Sequence, residues 1–264
     1  MMKLHKLFYL LIALAMLFVV GVSGVWASKA DCGEPPNEPP KPAVKVDKED
    51  PNVQNDYDKV VPEDTRAGVV YLTVVNGDQP TPNACGLNPK NDPAEWTGWG
   101  GPLDADNMTI GEGPGTRNDI VIGGVLFERG IGTHAAAKFV YDLTGGNYVR
   151  FEGYVGMSDE KDPDECGHGG SSIFIFSVDG KEMFKSDLLT GCTEDGENVA
   201  PVKVEFDIPS GAKELTIQID PGDDGNGCDH ACLGDAKLLG SEAVTAVDPG
   251  DKLSTLWGRI KSAH

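Results

Sequence analysis

From Val202 to Ile208 the chain alternates, with Val202, Val204, Phe206 and Ile208 set against Lys203, Glu205 and Asp207. Leu215, Ile217 and Ile219 alternate in the same way with Thr216 and Gln218. Ala137, Phe139, Tyr141 and Leu143 form a third apolar face, and Val149, Phe151 and Val155 a fourth. Successive side chains of a strand point to opposite faces, so a period of two predicts strands with one buried face. Ile173 to Val178 is apolar at almost every position, which predicts a central strand covered on both faces. Asp179-Gly180 supplies the positive φ angles of a two-residue reversal and predicts a hairpin at Val178 to Lys181. Short strands between turn signals predict an all-β fold, an antiparallel two-sheet β-sandwich of jelly-roll-like form.

The same pattern sets the expected boundaries. Residues 1–27 have the form of an export signal: Lys3 and Lys6, an apolar run from Leu7 to Val22, then Val25-Trp26-Ala27 as a cleavage site. If retained, the run is an anchor helix and the chain's one membrane contact. The expected location is secreted, periplasmic or cell-surface. Residues 28–67 are Pro-rich and charged, with too few large apolar side chains for a core, and predict a disordered linker. The sandwich is expected over 68–240. Residues 241–264 form a tail in which Leu253, Leu256, Trp257 and Ile260 share one face of a short amphipathic helix.

Charge narrows the partners. With 22 Lys+Arg against 42 Asp+Glu the formal charge is −20, which argues against nucleic acid, whose phosphates need clustered cations. The 34 Gly and 18 Pro break up any long helical pattern, against coiled coils and bundles. Six cysteines in an oxidising compartment are expected to pair, with 15 pairings open from sequence. Cys166, Cys192, Cys228 and Cys232 fall in predicted loops at strand ends, with Cys166 expected to bridge Cys228 or Cys232. Cys32 and Cys85 would then pin the linker to the domain.

An ordered series of segments carries a family resemblance. It runs through Gly130-Ile131-Gly132-Thr133-His134-Ala135, Val140-Tyr141-Asp142-Leu143, and Gly153-Tyr154-Val155-Gly156-Met157-Ser158-Asp159-Glu160. It continues with Ile173 to Val178, Phe184-Lys185-Ser186 and Leu215 to Ile219, and ends with Gly225-Asn226-Gly227-Cys228-Asp229-His230-Ala231 and Asp235 to Leu238. From about Val69 to Leu239 the chain resembles the NPCBM domain, the carbohydrate-binding module first noted beside family 98 glycoside hydrolases. The resemblance implies a β-sandwich that binds galactose-containing glycans without catalysis, and a calcium ion bracing the fold. One position departs from the family. After Asp229-His230-Ala231 the family places an acidic residue and Trp, where this chain has Cys232 and Leu233, so either a core plug or a stacking surface is lost.

Sugar recognition needs an aromatic face for the C–H side of a pyranose and a few fixed polar groups for its hydroxyls. Trp96 and Trp99 lie in a Gly-rich segment that would leave a ring accessible, and Trp99 is the candidate stacking ring. Tyr154 points away from the Phe151 and Val155 face and is expected exposed. His134, Asp159, Glu160, Asp229 and His230 are the candidate hydrogen-bonding residues. Asp220, Asp223 and Asp224 sit in a Gly-rich acidic loop able to offer oxygens to structural calcium; no organic cofactor is expected. No nucleophile elbow, phosphate loop or zinc-helix motif occurs. The expected function is therefore an exported, non-catalytic glycan-binding module. The alternatives are a structural or adhesive module that has lost its sugar site, and a glycoside hydrolase working through paired carboxylates.

Overall fold

The computed structural model describes residues 57–74, 86–99, 119–159, 169–222 and 225–245. The export signal, most of the linker and the helix around Leu256 lie outside them. Along the described chain run β1 (Lys59–Val61), β2 (Val69–Tyr71), β3 (Ile120–Ile122), β4 (Val125–Phe127), β5 (Gly130–His134), β6 (Ala137–Asp142) and β7 (Tyr148–Met157). Then follow β8 (Ser171–Val178), β9 (Lys181–Lys185), β10 (Leu189–Thr190), β11 (Val202–Asp207), β12 (Glu214–Pro221), β13 (His230–Gly240) and a short helix α1 (Ser241–Thr245).

Two five-stranded antiparallel sheets form the predicted sandwich. One has β8 and β12 at its centre, with β6 on one edge and β9 and β10 sharing the other. The second has the order β11-β7-β13, with β5 and β2 placed end to end along the far side of β13. The period-two faces meet between them: Phe139, Tyr141, Phe174, Phe176, Ile217 and Ile219 from one sheet against Phe151, Val155, Val204, Ile131 and Leu238 from the other. Asp179 and Gly180 both adopt positive φ and close the β8–β9 hairpin as predicted. The outward residues Ile173, Ile175 and Ser177 of β8 are only half-buried, so that strand is central but covered on one face rather than two.

A third layer was not foreseen. β3 and β4 form a hairpin, and β1 adds to β4 in parallel, giving a three-stranded sheet. It lies over the outer face of β7 and β13, enclosing Ile120, Ile122, Phe127 and Cys232 with Val61, Val125 and Tyr154 around them. Each buried Ile or Phe here contributes about 1.5–3 kcal/mol, so apolar contact rather than three-residue ladders holds this sheet on. Its sequence signal was Gly123-Gly124 between Ile120-Val121-Ile122 and Val125-Leu126-Phe127: two glycines at positive φ joining two apolar triplets. The ordered unit also starts before the expected Gly68, because β1 lies inside the stretch assigned to the linker.

An ionic network locks this early segment to the sheet. Tyr71 donates to Asp235 Oδ1 at 2.8 Å and accepts from the Asp64 amide at 2.6 Å. Lys237 bonds Asp235 Oδ2 at 2.7 Å and lies 3.4 Å from Asp64, while the Arg129 guanidinium sits 4.6 Å above the Tyr71 ring. Burial and the Asp235 carboxylate push the Tyr71 phenol up, so it stays a donor. Burial alone would also raise Asp64. The Arg66 hydrogen bonds and the Lys237 charge outweigh it and hold the carboxyl at about 2. A carboxyl held below its unfolded value stabilises the fold above that unfolded value, near 4, and loses the contribution as pH falls toward 2. Asp64→Asn is expected to lower the melting temperature at neutral pH, with the gap to wild type closing between about pH 4 and pH 2 in parallel thermal melts.

Candidate functional site

The antiparallel pairing of β5 with β13 sets His134 opposite His230 at one end of the second sheet. The rings meet edge to face at 5.4 Å, both on the outer side of the strands. His134 Nδ1 lies 2.7 Å from the Ala135 carbonyl, which fixes that ring. Both side chains are buried, so the pair forms a floor rather than a protruding feature.

Trp99 closes one side. Its ring stands 6.0 Å from His134 at a 42° tilt, and the residue is 49% exposed. The loop carrying it is bound to β5: the Gly98 amide donates to the His134 carbonyl at 2.8 Å and Thr133 Oγ1 to the Trp96 carbonyl at 2.5 Å. A side chain at position 98 would collide with the Ala135 carbonyl, so glycine is what lets the loop approach. Thr97 Oγ1 donates to the Trp99 carbonyl at 2.7 Å. Trp96 turns the other way into the sandwich core, its indole N–H held by Asn91 Oδ1 at 3.2 Å. The two tryptophans, equivalent from composition, thus divide into one core ring and one rim ring.

The acidic candidates are tied to backbone. Asp229 is fully buried, and its Oδ1 accepts from the Ser171 amide at 2.8 Å. Its carbonyl accepts from the Ala135 amide, so this one residue ties β13 to the start of β8 and the end of β5. Asp159 accepts from Gly123 and Gly124 amides at 2.7 Å each, one per oxygen. Burial raises its carboxyl, while those amides and Asn198 act in the opposite direction. Asp159 therefore braces the β3–β4 turn beside the histidine pair, whose His230 carbonyl accepts from the Ser158 amide. Asp159→Asn is expected to cost about 1–3 kcal/mol in urea denaturation, because one backbone amide loses its acceptor.

The remaining candidates separate. Tyr154 points outward, as the strand pattern required, but the three-stranded sheet covers that face, so the ring packs on Phe127 at 5.2 Å instead of standing exposed. It lies opposite Gly234, further along β13 than the histidine pair. Glu160, Asp223 and Asp224 fall outside the described residues. Asp220 Oδ1 accepts from Gln218 Nε2 at 2.6 Å, and no group of three or more metal-ligating side chains occurs among the described residues. Leu233 is buried in the sandwich core, so the Trp-to-Leu departure concerns a core plug and not the rim.

The cysteine expectation needs correcting. Cys192 and Cys232 are buried thiols rather than halves of disulfides, while Cys228 is disulfide-bonded to a partner outside the described residues, where Cys166 also lies. The physical reason is position: Cys232 is part of a strand and packs under the three-stranded sheet, away from the loops. Burial pushes the Cys192 thiol up, away from the reactive thiolate. Alkylation without reductant is expected to label Cys192 and Cys232 in denaturant and neither in the native protein, read by peptide mass mapping.

The NPCBM/NEW2 domain family matches residues 88–239 of the sequence. The chain belongs to that family. The match begins after β1 and β2, so in this NPCBM protein those strands precede the family segment. Solved structures similar to it include the M60 catalytic domain with the CBM51-1 and CBM51-2 domains of Clostridium perfringens ZmpB. That match has 30% identity and a TM-score of 0.42, over 58% of this chain and 14% of that one. The CBM51 module of Clostridium perfringens GH95 in complex with methyl-galactose is 30% identical, with a TM-score of 0.40, over 54% of this chain and 90% of that one. CBM51-2 with GlcNAc and the INT domains of ZmpB is 26% identical, with a TM-score of 0.36, over 52% and 25%. No curated protein matches. No helix among the described residues is long and apolar enough to cross a membrane.

Proposed function

We propose that this NPCBM domain is a glycan-binding module that takes a terminal galactose-type pyranose at the rim where β5 and β13 end. The observation that carries the reading is the half-exposed Trp99 ring leaning on the buried His134–His230 pair. A tryptophan with an open face receives the C–H side of a pyranose, and imidazole nitrogens at its foot supply directional partners for hydroxyls. The family match supports the same reading, and a relative solved with methyl-galactose gives the first ligand to try. The loop is pinned to β5 by backbone and threonine hydrogen bonds, so binding has little ordering to do.

The engagement of the two described candidate carboxylates supports a binding role without turnover. Asp159 has both oxygens engaged by backbone amides, and Asp229 is fully buried with one oxygen engaged. Hydrolysis through two carboxyls needs both to face the scissile bond from opposite sides. The leader-like residues 1–27 support display outside the cytoplasm, on the polar stretch before β1.

The test is a glycan array followed by titration calorimetry with methyl-galactoside, using wild type and Trp99→Ala. Galactose-terminated glycans are expected to bind, and Trp99→Ala to weaken them about tenfold, or roughly 1.4 kcal/mol, with an unchanged melting temperature. Wild-type binding that survives Trp99→Ala undiminished removes the site from the rim. A wild type that binds no glycan removes the function.

A further inference from the structure

We infer that Asn226-Gly227 is a self-modification site, a spontaneous deamidation point in the loop that leads into Asp229 and His230. Three observations carry it. Both residues are exposed. The Asn226 carboxamide has no hydrogen-bond partner among the described residues. A side-chain carbon added at Gly227 would meet nothing within 4 Å, so no described neighbour crowds that position. Asn91 offers the contrast inside the same protein: its carboxamide accepts from the Val140 amide at 2.9 Å and donates to the Lys138 carbonyl at 2.9 Å. The turn at Asp179-Gly180 is likewise protected, because Asp179 Oδ1 accepts from the Lys213 and Glu214 amides.

The chemistry needs only water. The Gly227 amide nitrogen attacks Asn226 Cγ, the new N–Cγ bond forms as Cγ–Nδ2 breaks, and the amide proton departs with that nitrogen as ammonia. Water then opens the cyclic imide at either carbonyl, leaving aspartate or isoaspartate. Glycine is the most permissive follower, since no β-carbon hinders the approach. Asparagine counts among the thermolabile residues for this reason. The isoaspartyl product adds a carbon to the main chain and a charge just before Cys228. That residue leads directly into Asp229, whose carboxylate and carbonyl tie the ends of β8 and β5 together. The effect on sugar affinity rests on the function proposed above; the modification itself does not.

The full chain is aged at mildly alkaline pH and mapped by mass spectrometry, with isoaspartyl methyl acceptance as a second readout. The Asn226 peptide is expected to turn acidic several-fold faster than the Asn91 peptide. Gly227→Ala, which the open space accommodates, is expected to suppress the conversion without a change in melting temperature. An intact Asn226, an equal rate at Asn91, or conversion undiminished in Gly227→Ala overturns the proposal. In the binding arm, aged wild type is expected to lose methyl-galactoside binding while aged Gly227→Ala keeps it. Conversion with binding unchanged overturns the link to the rim. If fresh protein binds no sugar, the proposed function fails, and the mass map still decides the modification.

Discussion

Everything at the rim depends on β13 being hydrogen-bonded along both edges and covered on both faces. β7 runs along one side, β5 and β2 share the other, and no residue from His230 to Gly240 is exposed. A strand in that position has no water to complete the bonding of its polar side chains, so each one needs a protein partner. The inward residues Ala231, Leu233, Ala236 and Leu238 meet this by being apolar. The outward ones are accommodated in two different ways at the two ends. Near the start, His230 packs against His134; further along, Asp235 and Lys237 join Tyr71 and Asp64 in an ionic network. Between them Cys232 lies under the apolar residues of the three-stranded sheet.

The switch between the two ways coincides with a break in register. The β13–β7 pairing shifts between Gly234 and Lys237, and Asp235 sits at positive φ, where its carboxylate reaches Tyr71 and Lys237. A bulge re-aims a side chain without ending the strand. It lets one strand present a histidine to the rim and an ion pair to the early segment. It also gives β5 and β2 separate stretches of one edge to pair with. An ion pair this deep is weak evidence of stability for its own sake, since desolvation offsets much of the attraction. Its consequence here is specificity of placement: Asp64 and Tyr71 have one geometry that satisfies Asp235 and Lys237, and that geometry seats β1 and β2.

What was legible in the chain follows from this. Long strands with one dry face announce themselves by period two, so β6, β7, β8, β11 and β12 were all predicted close to their observed extents. The short strands carry no period. β1, β3 and β4 have three residues each, and only the two glycines between β3 and β4 marked them. Missing that layer misplaced Tyr154: its direction was right, but direction becomes exposure only when nothing covers the face. The same omission hid the bracing of Asp159, since its amide partners belong to the β3–β4 turn. His134, His230 and Trp99 come together because a motif before a strand, a motif beginning another and a glycine-rich loop meet at one sheet end. The network of Asp64, Tyr71, Asp235 and Lys237 was out of reach, as its members lie far apart in sequence and none has a motif.

The third layer also explains why the candidate site is a rim and not a face. The outer surface of a five-stranded sheet is the obvious platform for a ligand, and on this sheet its central part is occupied by Phe127, Ile120 and Ile122. Where that cover stops, the outward residues of β5 and β13 are histidines instead of aliphatics, and the loop with Trp99 folds over them. Imidazole nitrogens there can hydrogen-bond in ways that an aliphatic residue cannot, and the one half-exposed ring beside them is Trp99. The small sheet therefore limits where a ligand can sit. By taking the β3–β4 turn into its own structure it also engages both carboxylate oxygens of Asp159 with the Gly123 and Gly124 amides.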